Sequence, residues 1–161
     1  MKDTIKMQGQ RNRYFLIAEI LLAVSPLMCL AYFSVGNGPA SFTPSDFISA
    51  NPAAAVTFLA AMLNPFAAYL LDYSRKRMVL GDEAYALVTL IGITAVEAIL
   101  MNVAYTVMMT ALFFYVKKSC NTSIRSLRKE YTVARLLVNL SGCLAMAPIA
   151  ALCMFAQLRL A

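Results

Sequence analysis

AYALVTLIGITAVEAILMNVAYTVMMTALFFYV, residues 84–116, is a run of 33 positions in which Glu97 is the only formally charged side chain. As one helix it would measure roughly 50 Å, against a hydrocarbon core of about 30 Å. The stretch must therefore tilt strongly, protrude or break. Its resolution decides the fold of the whole chain.

Three further apolar runs lie outside it, at residues 14–35, 52–71 and 136–158. Each holds about 20 residues or more, enough to cross a bilayer as a helix, and Glu19 is their only acid or base. The 161-residue chain is 61% hydrophobic with a mean hydropathy of +0.69, too apolar for a solvated surface. A membrane barrel would show short segments of alternating polarity, whereas these runs are continuously apolar. The expectation is an all-α, polytopic membrane helical bundle in one domain, 1–161. It has four membrane helices with an unusually long third, because an unbroken apolar helix is the simplest reading of 84–116.

Charge counts pull the other way. Lysine and arginine stay on the cytoplasmic side of membrane helices. Four single crossings with the N-terminus inside put eight basic residues inside and six outside. Folding 84–116 back as a hairpin changes the count to thirteen against one, and making 52–71 re-entrant gives ten against four. The hairpin would leave arms of about 15 residues, short for a span, with only Asn102 offering turn character. The N-terminal run is too long for a signal-peptide core, so a signal-anchor helix in an inner (plasma) membrane is expected.

Local signals mark other boundaries. Asn51-Pro52 is an N-cap followed by proline at the first helical position. Asn64-Pro65 falls inside the second run, where proline removes a backbone hydrogen bond and favours a kink. Asn51-Pro52-Ala53 resembles the short motif of aquaporin half-helices, but a helix start explains all three residues.

The absences narrow the chemistry. Without histidine the chain lacks the usual general base and the commonest zinc ligand. Cys29, Cys120, Cys143 and Cys153 form no C-x-x-C pair, so thiols packed as small hydrophobes are expected. No metal site, cofactor or nucleic-acid partner is expected. No nucleophile–base pair is visible, which makes an enzyme the weakest of three classes.

Glu97 is the sharpest candidate. An ionised carboxylate deep in a membrane costs a few kcal/mol, so it must be protonated, paired or facing a wet cavity. Its expected partner is Asn64, Asn139 or Ser141 across the bundle, or a residue of another subunit. Glu19 lies near an interface, where snorkelling or pairing with Arg13 is the plain alternative. The segment Ala18-Glu19-Ile20 in a first helix resembles small multidrug transporters, which keep an essential glutamate there; the resemblance covers a few residues and implies transport.

Small residues recur at four-residue spacing: Ala60, Asn64 and Ala68 in the second run, and Asn139, Cys143, Ala147 and Ala151 in the last. Such stripes let helices approach closely, within the chain or across subunits. Asn102, Thr106 and Thr110 form a third stripe. The connector after residue 116 carries Lys117, Lys118, Arg125, Arg128 and Lys129, a basic flank for anionic lipid or an acidic partner. The expected partners are therefore the bilayer and other membrane subunits or further copies of the chain. The function expected first is a small carrier or transport subunit with proton or cation coupling. A non-transporting membrane partner (an immunity, assembly or regulatory subunit) is the alternative.

Overall fold

The computed structural model describes residues 2–37, 51–120 and 138–160, and every element among them is helical. There are five: α1 (Lys2–Asn37), α2 (Pro52–Val79), α3 (Glu83–Ile99), α4 (Val103–Cys120) and α5 (Ser141–Leu160). α2 starts where its sequence signals a start. Asn51 Oδ1 accepts from the Ala54 amide at 3.2 Å, with Pro52 in the first position. The helix then runs through Asn64-Pro65 without a break.

The expected long third helix is corrected. Residues 84–116 form two helices joined at Leu100–Asn102. Leu100 caps α3, and Met101 turns into the left-handed region at φ 56°. The Met101 amide donates to Ala98 O and the Asn102 amide to Glu97 O, both at 3.1 Å. This paired closure satisfies carbonyls that a helix end would leave open. Asn102 O then accepts from the Thr106 amide at 2.9 Å, starting α4. The arms pack on each other and hold 17 and 18 residues, about 26 and 27 Å of rise. One helix of about 50 Å would leave an apolar overhang; the turn shortens each arm to about the thickness of the membrane core.

The α2–α3 connection has the same construction. Leu80 caps α2 and Gly81 takes φ 93°. Gly81 and Asp82 amides donate to Met78 O and Arg77 O at 3.1 Å. Asp82 Oδ1 caps α3 by accepting from the Tyr85 amide at 3.1 Å.

α3 is the central helix, packed on α2, α4 and α5. It buries ten of its 17 residues, Gly92 and Glu97 among them. α1 covers α2 and touches α4. Two glycines set the closest approaches of α5. A Cβ on Gly92 would lie 2.6 Å from Leu140 Cδ2 and 2.7 Å from Cys143 Sγ, and one on Gly142 would lie 2.6 Å from Leu70 Cδ2.

Among the described residues, three segments are by themselves long and apolar enough to cross a membrane: Gly9–Val35, Pro52–Val79 and Ser141–Leu160. Only 28, 28 and 22% of them is buried within the chain. Leu27, Tyr32, Tyr69 and Leu152 are among the large apolar side chains left outside. Water does not tolerate so much contiguous apolar surface, and lipid does. The chain is an all-α, helical integral membrane protein.

Candidate functional site

Polar side chains inside the bundle gather at two levels. At the first, the C-terminal end of α2 meets the middle of α1. Arg75 Nε lies 3.1 Å from Glu19 Oε1, and both side chains are largely buried. Arg75 Nη2 also binds Asp72 Oδ1 at 2.6 Å, and Lys76 Nζ reaches Asp72 Oδ2 at 2.5 Å. Side chains lean towards their helix N-terminus, which carries the Arg75 guanidinium back along α2 to Glu19. Glu19 thus pairs with Arg75 of α2 and not with Arg13, the partner expected from its own helix.

The second level lies at the tip of the α3–α4 hairpin. Asn64 is 1% exposed, and its Nδ2 donates to Ser25 Oγ of α1 at 2.7 Å. α1 continues 12 residues past Ser25 to Asn37, and α2 begins 12 residues before Asn64. Both helices extend well beyond this contact. A cleft of about 460 Å³ opens beside it, with Ser25, Thr57, Asn64, Asn102, Tyr105 and Gln157 supplying its polar groups. The hydroxyl of Tyr105 also donates to Leu21 O at 3.3 Å, tying the start of α4 to α1.

Glu97 lies behind this wall. All three turn residues, Leu100, Met101 and Asn102, line the cleft, and Glu97 is two residues from the end of α3. It is 0% exposed. Neither carboxylate oxygen makes a hydrogen bond of good geometry, and its polar neighbour is the side chain of Asn102. The hairpin therefore moves Glu97 from the expected middle of a single span to the tip. Of its expected partners, Asn64 is engaged with Ser25. Asn139 and Ser141 flank Leu140, which abuts Gly92, more than a helical turn back along α3.

The remaining sequence candidates fall as follows. Asn64 and Ala68 are buried, and Ala60 packs on the core as a partly buried residue. In α5 the buried face is Cys143, Met146, Ala150 and Cys153; Asn139 and Ala147 are half-buried, and Ala151 faces outward. Cys143 and Cys153 are free buried thiols, and Cys29 is a half-buried one. Thr106 and Thr110 hydroxyls donate to the carbonyls four residues back, at 2.9 and 2.7 Å, a local bond that hides a hydroxyl within an apolar helix. Lys117 and Lys118 close α4, whereas Arg125, Arg128 and Lys129 lie outside the described residues. No cluster of three or more potential metal ligands occurs among the described residues.

Ser25 and Asn102 were not singled out by spacing as a pair with Asn64 and Glu97. A serine and an asparagine are common in apolar helices, and nothing local says which neighbour they meet. Comparison of the chain with known protein families, characterised proteins and solved structures gave no match.

Proposed function

We propose that this chain is a small membrane carrier or transport subunit in which Glu97 takes up and releases a proton or small cation beside the hairpin-tip cleft. The observation that carries this reading is the burial of Glu97 with both carboxylate oxygens unpartnered, one turn away from a polar cleft. A structural carboxylic acid would be expected to spend its proton on a neighbour, because an unsatisfied buried polar group costs about 1–3 kcal/mol. An acid left open behind a wall that carries polar groups suits a group that exchanges its proton or counter-ion.

In the membrane we read five crossings, with the N-terminus, both residues flanking α2–α3 and the segment after α4 on the cytoplasmic side. Thirteen of the fourteen lysines and arginines then lie inside, and Arg159 alone lies outside, as the charge rule requires. The cleft would open to the opposite side, away from the basic flanks.

Infrared spectroscopy of the reconstituted protein tests the role of Glu97 without knowledge of the substrate. The wild type should show a carboxylic-acid carbonyl band that disappears as external pH rises and is missing in Glu97→Gln. A band from Glu97 that ignores external pH would reduce the residue to a structural hydrogen-bond donor.

The non-transporting partner has its own support in the outward-facing small residues of α5, Ala145 and Ala151, which leave a helix face open to close approach. A carrier should purify as a monomer or homodimer. An accessory chain should bring an unrelated membrane protein with it.

A further inference from the structure

A second cavity lies on the outside of the bundle, between α1 and α4, with a volume of about 280 Å³. It is lined by the small residues Ala18 and Ala111 and the larger apolar Ile17, Met108 and Leu112. Tyr14 and Tyr115 also line it, with their rings edge to face at 4.9 Å. Paired tyrosines are the side chains expected where a groove reaches the membrane–water interface.

The cations beyond this tyrosine pair follow from helix periodicity. On α4 the groove residues Met108, Ala111, Leu112 and Tyr115 continue, three positions on, to Lys118. On α1 the groove residues Ala18, Ile17 and Tyr14 continue, three positions back, to Arg11. Arg13 lies four positions back from Ile17, at the same end of the groove, whereas Lys117 lies on the opposite face of α4. Among the described residues, Lys117, Lys118 and Arg13 enter no ion pair. They contrast with Arg75 and Lys76, which are neutralised by Glu19 and Asp72. The groove is thus an apolar slot of roughly nine methylene-sized units, taking about 30 Å³ for each as for a water. Uncompensated positive charge sits at its interfacial end.

We propose that this groove binds one acyl chain of an anionic phospholipid, with the headgroup phosphate held by Lys118 of α4 and Arg13 of α1. A zwitterionic lipid fits the slot equally well but brings its own cation to these two side chains, so charge supplies the selectivity. The site is independent of the role assigned to Glu97.

The test is native mass spectrometry of the full-length protein, delipidated in detergent, with phosphatidylglycerol or phosphatidylcholine of matched acyl chains added back. Wild type should retain phosphatidylglycerol with a preference of about tenfold or more, given two cations near the phosphate. In Arg13→Gln/Lys118→Gln the two lipids should be retained within about twofold of each other, with phosphatidylcholine retention unchanged. Ala111→Phe should lose both adducts by filling the slot, and Ala111 is exposed at the protein surface, so the larger ring meets no core. Equal retention of the two lipids by wild type would overturn the proposal, as would full retention by Ala111→Phe. Inorganic phosphate that displaces the lipid completely at millimolar concentration would likewise overturn it, because the acyl chain would then contribute nothing.

Discussion

Met101 holds in the α3–α4 turn the place that Gly81 holds in the α2–α3 turn. Both follow a leucine cap, both have positive φ, at 56° and 93°, and each donates its amide to the third carbonyl back. The following residue is Asp82 in one turn and Asn102 in the other, and each opens the next helix. Two short corners of one design therefore direct the chain into and out of the central hairpin. The difference lies in the side chain at the left-handed position, where glycine is free and a β-carbon costs about 1–2 kcal/mol.

That cost makes Met101→Gly a stabilising substitution. Met101 is 60% exposed, so little packing is lost, while glycine's greater freedom in the unfolded chain returns part of the gain. A net increase of about 0.5–1 kcal/mol is expected in unfolding of the detergent-solubilised protein. Gly81→Ala should lower stability by about 1 kcal/mol. A loss of stability in Met101→Gly would show that the turn does not take this conformation.

Close packing of α5 on α3 gives a sharper test. Gly92→Ala forces a methyl within 2.7 Å of Cys143 Sγ and should cost about 1–3 kcal/mol. Gly9→Ala meets nothing within 4 Å and should be neutral or slightly stabilising. Ala150, which is fully buried, should reject leucine, whereas exposed Ala151 should accept it within a single chain. If Ala151→Leu instead abolishes self-association seen in the wild type, that face is a subunit contact.

The Ser25–Asn64 hydrogen bond is suited to a double-mutant cycle. Ser25→Ala, Asn64→Ala and the double variant should give a coupling of about 0.6 kcal/mol, the usual size between membrane helices. Zero coupling would mean that α1 and α2 are not joined at this point.

Topology can be read from one native thiol. Cys120 is the last residue of α4, next to Lys117 and Lys118. With five crossings it lies in the cytoplasm, so a membrane-impermeant maleimide should label it only after lysis, and Cys120→Ser should remove the signal. Labelling of intact cells that Cys120→Ser removes would exclude five crossings with the N-terminus inside, since Cys29 lines the outward cleft and can label there. Cys143 and Cys153 are buried and should stay silent in both conditions.

Membrane residence, helical class and the start of α2 were legible in the sequence, because each depends on local composition. Apolar length alone requires a bilayer and internally satisfied backbone, and Asn51-Pro52 carries its own cap. The break at Leu100–Asn102 was hidden because its left-handed residue is a methionine. Leu80-Gly81-Asp82 shows the same corner with the glycine that normally announces it. Only tertiary packing offsets the strain at Met101, since the hairpin buries α3 against three neighbours where a straight helix would leave it in lipid. The same holds for the polar pairs. Glu19 with Arg75 and Asn64 with Ser25 each join residues whose chemistry is plain in the sequence. Which of them meet was decided by where the chain turns.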